Sequence, residues 1–216
     1  MSRFIFPKWL DAIRPLLLLI LAGGPAYLIA MGYYGMWPST RTKGYMPKQP
    51  VPYSHAIHVG KLGMDCRYCH TTVEKSSHAS IPPTATCMNC HQAIRPESPK
   101  LLPVRESYAS GEAVEWLKVH NLPDFVYFNH SAHVTRGIGC VSCHGRVDKM
   151  EEVWQDAPIS MGWCLDCHRA PEKHLRPVEF VTTMDWAPGE DQITLGKRLR
   201  EENNINPSTD CSTCHR

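Results

Sequence analysis

An excess of either charge is missing from this chain: 23 lysines and arginines stand against 21 aspartates and glutamates in 216 residues. Without a basic face, nucleic acid is not an expected partner. Beyond residue 40 the chain also lacks long stretches of helical or strand periodicity, and it is rich in Pro, Gly, Ser and Thr. A polypeptide of that kind struggles to assemble a core from its own side chains. Something else must fill the interior. Solitary cysteine is missing too. All ten cysteines stand in pairs, and each pair is followed at once by histidine.

The pairs read CRYCH (Cys66, Cys69, His70), CMNCH (Cys87, Cys90, His91), CVSCH (Cys140, Cys143, His144), CLDCH (Cys164, Cys167, His168) and CSTCH (Cys211, Cys214, His215). This is the attachment motif for c-type haem. Two thiols three residues apart can each form a thioether to one vinyl group of the porphyrin, and the adjacent imidazole supplies the proximal iron ligand. Zinc ribbons pair cysteines but do not require His after each second one, and a disulfide scaffold need not carry these histidines. With 12 histidines in 216 residues, five matches in five by chance is on the order of one in a million. Five haems c are therefore expected.

Arg3, Lys8 and Arg14 precede a stretch from Pro15 to Thr40 without a charged residue. As a helix its 26 positions extend roughly 39 Å, enough for a bilayer core with tilt. Tyr33, Tyr34 and Trp37 cluster at the far end, as interfacial aromatics do. Gly23, Gly24 and Pro25 are tolerable in a membrane helix and offer a kink or a close helix contact. The run is longer than a signal-peptide core and lacks a small-x-small cleavage site, so a retained anchor is expected. Haem attachment to this motif generally takes place outside the cytoplasm. The C-terminal bulk is accordingly expected on the periplasmic side of a bacterial inner membrane, in a single-pass protein. The basic N-terminal flank agrees, although Arg41, Lys43 and Lys48 beyond the helix weaken the charge asymmetry.

An internal repeat organises the rest. PYSHAIHVGKLGMDCRYCH (52–70) and YFNHSAHVTRGIGCVSCH (127–144) share an aromatic, a polar residue, HxxH, Val, a Gly-containing turn and CxxCH. A second motif follows each. The expected divisions are an anchor (1–40), a linker (41–52), two two-haem modules (53–125 and 126–180), and a C-terminal helix with the fifth motif (181–216). EDQITLGKRLREEN has helical spacing through Ile193, Leu195 and Leu199. The expected fold class is a mainly irregular and α-helical multihaem cytochrome c, with little or no sheet and one N-terminal transmembrane helix.

At FNHSAH–GCVSCH the chain resembles the class III multihaem cytochromes. PYSHAIHVGKLGMDCRYCH, IPPTATCMNCH, VHNLPDFVYFNHSAHV, SMGWCLDCHRAPEKHLRP and CSTCHR, over nearly the whole chain, resemble the pentahaem subunit of bacterial alternative complex III. That likeness implies an N-terminal membrane helix, five haems and membership of a quinol oxidoreductase with iron–sulfur and polytopic subunits. It also implies a periplasmic carrier or a terminal oxidase as acceptor. In the class III pattern the first His of HxxH serves the haem of the following motif, and the second reaches a neighbouring haem. Carried over, His55 pairs with His70 and His130 with His144, while His58 and His133 cross to other haems. His120, in KVHNLPDFVYF, is the fifth distal candidate. His174 is open between ligand and propionate partner, and His78, among Ser and Ala, is set aside. Should one site use Met, which raises a haem's potential, Met150, Met161 and Met184 are the candidates.

With two protein ligands on every iron, no position remains for substrate, and no catalytic residue is assigned. The expected role is electron relay within a quinol-oxidising membrane complex. A free-standing membrane-anchored quinol dehydrogenase is the alternative. A multihaem reductase is disfavoured because every motif is a plain CxxCH and ligand candidates exceed demand. No intramembrane ionisable cluster suggests a quinol site within the chain.

Overall fold

A computed structural model describes residue 7, residues 9–37, residue 40 and residues 42–215. Arg3, Lys8 and Arg41 of the charge pattern lie outside the described residues. The chain forms two units, Met1–Thr42 and Lys43–Arg216.

In the first unit, α1 runs over Trp9–Met36. It begins one and a half turns before the apolar run, because the charged turn joins it: Arg14 pairs with Asp11 at 3.3 Å across an exposed i,i+3 contact. Pro15 and Pro25 lie inside the helix without ending it. Trp37, which precedes a proline in the sequence, is outside. Leu16 to Leu21 are all exposed, unlike the residues of a soluble core helix. Its 28 residues extend about 42 Å, against about 30 Å of bilayer hydrocarbon. The chain thus has one N-terminal apolar helix long enough to cross a membrane, compatible with a single-pass anchor.

The second unit is short helices and long connections, as its Pro- and Gly-rich composition dictates. A π-helical turn, Ala56–Lys61, precedes α2 (Cys66–Cys69), α3 (Thr84–His91) and α4 (Leu102–Ser110). Then come α5 (His130–Val134), α6 (Val141–His144), α7 (Met161–Arg169), α8 (Gln192–Glu202) and α9 (Cys211–Cys214). Among the described residues there is no sheet, only isolated bridges Val126–His215 and Ile138–Leu175. Side chains start several helices: Asp65 accepts from Arg67 N, Asn129 from Ser131 N, Ser160 from Trp163 N and Asp191 from Thr194 N.

The expected amphipathic helix is α8, with Leu195 buried and Ile193 and Leu199 partly so. Gly196 lets it approach the backbone of Glu172, where any Cβ would collide with the carbonyl. Gln192 donates to the Glu172 and Leu175 carbonyls at 3.0 and 2.8 Å. The C-terminal helix is thereby fixed against the turn that follows the fourth motif.

Apolar burial is sparse. One cluster gathers Val51, Met88 and Val104, with Trp116 and Cys87 against it; another gathers Val73, Val134 and Val181. The second joins segments from three parts of the sequence, so the repeats interlock rather than stand apart.

Candidate haem-binding sites

Each attachment motif lies on a helical turn: α2, α3, α6 with its N-cap Cys140, α7 and α9. Residues i and i+3 share a helix face, so one turn is enough to aim both thiols the same way. None of the ten cysteines forms a disulfide. Among the described residues no three His, Cys, Asp or Glu side chains converge on a common metal position, as a tetrahedral zinc site requires. Burial pushes the Cys143 thiol up to about 12, with Cys167 and Cys164 nearby adding to the effect.

Four of the five motif histidines are oriented by main-chain carbonyls. Nδ1 of His70 meets Ser80 O at 2.9 Å, that of His91 meets Ile94 O at 2.9 Å, and that of His168 meets Ser208 O at 2.6 Å. His215 Nδ1 reaches Phe125 O at 3.3 Å. A carbonyl only accepts, so Nδ1 carries the hydrogen and Nε2 keeps its lone pair for a metal.

The two HxxH segments share one geometry. Tyr53 lies edge-on to His55 (4.8 Å, 86°) and stacked on His58 (4.5 Å, 22°). Phe128 meets His130 (4.7 Å, 86°) and His133 (4.5 Å, 30°) in the same way. The second His of each pair turns its Nδ1 to the carbonyl four residues back: His58 to Ser54 at 2.8 Å, His133 to Asn129 at 2.7 Å. His130 Nδ1 instead meets Ser77 O at 2.9 Å, across the repeat boundary.

The repeats differ by one residue. Four residues separate His58 from Gly63, and three separate His133 from Gly137. The π-helical turn takes up the difference: Leu62 N donates to Ile57 O at 3.0 Å, five residues back. Both glycines then adopt positive φ (66° and 83°) three residues before their motifs, a conformation that side chains resist.

Three ring pairs stand opposite one another: His58 and His91 at 6.1 Å, His133 and His168 at 6.1 Å, and His130 and His144 at 6.4 Å, the last nearly parallel at 13°. Metal–imidazole bonds of about 2 Å on either side of one ion call for roughly this separation. The donor set fits haem iron, which the two histidines of such a pair would hold. His55 lies near His70 and His58, and burial with these neighbours pushes its pKa down to about 4; its Nδ1 is buried without a partner. His144 is pushed down to about 3 by burial, then by His120, His130, His70 and His55. Rings held neutral in this way are in the form that binds metals.

The other candidates are less alike. His120 lies 4.4 Å from His144 at 73°, and its buried Nε2 has no partner. His174 is half-buried, its pKa lowered by burial and by Lys173. His78 is exposed and bonded to the Ser77 hydroxyl at 2.8 Å, unlike the carbonyl-bonded histidines. Met150 is 1% exposed, Met161 is 60% exposed, and Met184 lies between.

Contacts between motifs do not follow sequence order. Asn89 Nδ2 donates to Tyr68 Oη at 3.3 Å, and Cys69 neighbours Cys87, joining the first and second motifs. The Cys66 and Cys140 thiols are neighbours, joining the first and third. Thr182 also donates to Asp65 at 2.8 Å, beside Val181 O, which accepts from Cys140 N at 2.9 Å. Cys143 neighbours Cys167, joining third and fourth; Cys164 neighbours Cys214, joining fourth and fifth. The series is second, first, third, fourth, fifth. Cys90 and Cys211, in its two end motifs, are exposed, whereas the other eight cysteines are partly buried.

The chain matches the family described as cytochrome c7 and related cytochrome c over residues 51–103 and 126–216, more than half of its length. It belongs to that family. A cytochrome c7-type chain binds haem c covalently and transfers electrons, which accounts for the thiol pairs and their oriented histidines. The chain is also 36% identical over 118 residues to the multiheme cytochrome c subunit of menaquinone reductase from Nitratidesulfovibrio vulgaris, covering 54% of this chain and 55% of that protein. The match thus spans about half of the relative's length. That haem c is attached was legible in the thiols. The carbonyls of Ser77, Ser80, Ser208 and Phe125 were not, because a main-chain acceptor leaves no mark on residue identity.

Proposed function

We propose that this chain carries five covalent haems c and relays electrons from a quinol-oxidising membrane complex to a periplasmic carrier or terminal oxidase. The observation that carries this reading is the unbroken series of five motifs with an exposed cysteine at each end. Haem iron, when bound, supplies one-electron transfer by cycling between ferric and ferrous states. The chain's own residues fix the cofactors and leave no iron open to substrate. His70, His91, His144, His168 and His215 would hold the proximal sides. His58 would serve the haem of His91, His133 that of His168, His130 that of His144 and His55 that of His70. His120, which lies against His144, is the fifth distal candidate, with His174, Met150, Met161 and Met184 as alternatives. The series would begin and end at the haems of Cys90 and Cys211, where partner proteins can approach.

In this reading α1 anchors the chain in a bacterial inner membrane, with Lys43–Arg216 on the periplasmic side. Support for a complex comes from the matched relative, itself a subunit of a menaquinone reductase. Native membranes extracted in a mild detergent, with this chain captured by a C-terminal tag, test the proposal. Iron–sulfur and polytopic subunits should co-purify in fixed ratio. A chain that emerges alone and oxidises quinol unaided would instead be a free-standing dehydrogenase.

A further inference from the structure

Arg176 belongs to no haem motif, yet it is a cation only 9% exposed. Among the described residues no carboxylate forms an ion pair with it. One guanidinium nitrogen donates to the carbonyls of Thr183 at 3.0 Å and Phe180 at 3.5 Å, and the group lies 4.9 Å from the centre of the Trp186 ring. Its Nε has no hydrogen-bond partner. The guanidinium rests on Gly139, where a Cβ would overlap it, directly before Cys140. Glycine at that position is what allows the charge to approach the third motif.

We propose that Arg176 is a tuning residue for the haem carried on Cys140 and Cys143, a fixed cation that favours the reduced iron. The inference rests on the reading of those thiols as attachment points. An unpaired buried charge is costly and persists only where other groups offset it. Burial lowers the pKa of Arg176, and Cys140 is the ionisable neighbour that opposes this. In a region of low dielectric a cation acts strongly on nearby charge. Reducing ferric to ferrous iron, by one electron from a neighbouring haem of the relay, removes one positive charge beside Arg176. The reduced state is stabilised and the potential of that haem is raised, burial and local charge being levers a protein has over haem.

A purely structural role is the competing account, since Arg176 also ties down the loop from Phe180 to Trp186. Two substitutions separate them. Arg176→Gln keeps hydrogen-bond donors and removes the charge; Arg176→Lys keeps the charge and loses the fork. Full-length haem-loaded variants would be checked for haem content by mass and titrated potentiometrically with optical detection. Arg176→Gln should lower the midpoint of one haem and leave the others unchanged, while Arg176→Lys should stay near native. Gly139→Ala, which displaces the guanidinium without touching Arg176, should lower the same midpoint. Unchanged midpoints in Arg176→Gln, or an equal drop in Arg176→Lys, would overturn the proposal. Absence of haem from Cys140 and Cys143 in the native protein would overturn the attachment reading beneath it, and the mass check shows that separately.

Discussion

His130→Ala is expected to yield a folded chain with all its haems, in which one iron has lost its sixth ligand. The fold should survive because the junction at Ser76–Ser77 is held by main chain: His130 N donates to Ser77 O at 3.2 Å and Ser131 N to Ser76 O at 3.1 Å. What disappears is the imidazole facing His144 at 6.4 Å. The carbonyl bond of His130 and iron ligation are not rivals, since the first uses Nδ1 and leaves Nε2 free. The affected haem should become high-spin or take up added cyanide or carbon monoxide, and the rest should keep low-spin spectra. Unchanged optical and paramagnetic-resonance spectra would show that His130 is not a ligand.

The order of motif contacts yields the other large effect. Removing the third motif's thiols, with Cys140→Ala and Cys143→Ala together, should split the relay into two pairs. Removing the second motif's thiols, with Cys87→Ala and Cys90→Ala, should leave four haems still in series. In rapid mixing with a reductant protein that docks at one end, the first variant should reduce two haems fast and two slowly. The second variant, reduced from the Cys211 end, should reduce all four in one phase. A single phase in the Cys140/Cys143 variant, with circular dichroism still native, would mean that electrons do not pass through the third motif.

How much of this was legible in the sequence depends on where covalent chemistry or periodicity fixes a pattern. Thioether attachment demands two cysteines at one spacing and a histidine beside them, so the multihaem cytochrome c family read directly. The α8 helix read directly too, because Leu195 and Leu199 stand four residues apart on one face. The HxxH repeat showed in its letters, and its aromatic proved to contact both histidines alike in each copy. The π-helical turn did not show, since one extra residue between His58 and Gly63 can be absorbed in many ways. Nor did the motif order, which depends on long-range contacts such as Asp65 with Thr182. Arg176 was silent because an arginine in a loop is ordinarily solvated, and only burial against Gly139 sets it apart. Met150, a ligand candidate by sequence, is one of the most buried side chains, a placement that its spacing from the motifs does not reveal.

All of this rests on haem being covalently held at every thiol pair. The intact mass of the matured chain, taken after acid and organic extraction has removed anything not covalently bound, tests that directly. The expected mass is that of the polypeptide plus five haems. A fully matured chain carrying four or fewer would contradict it.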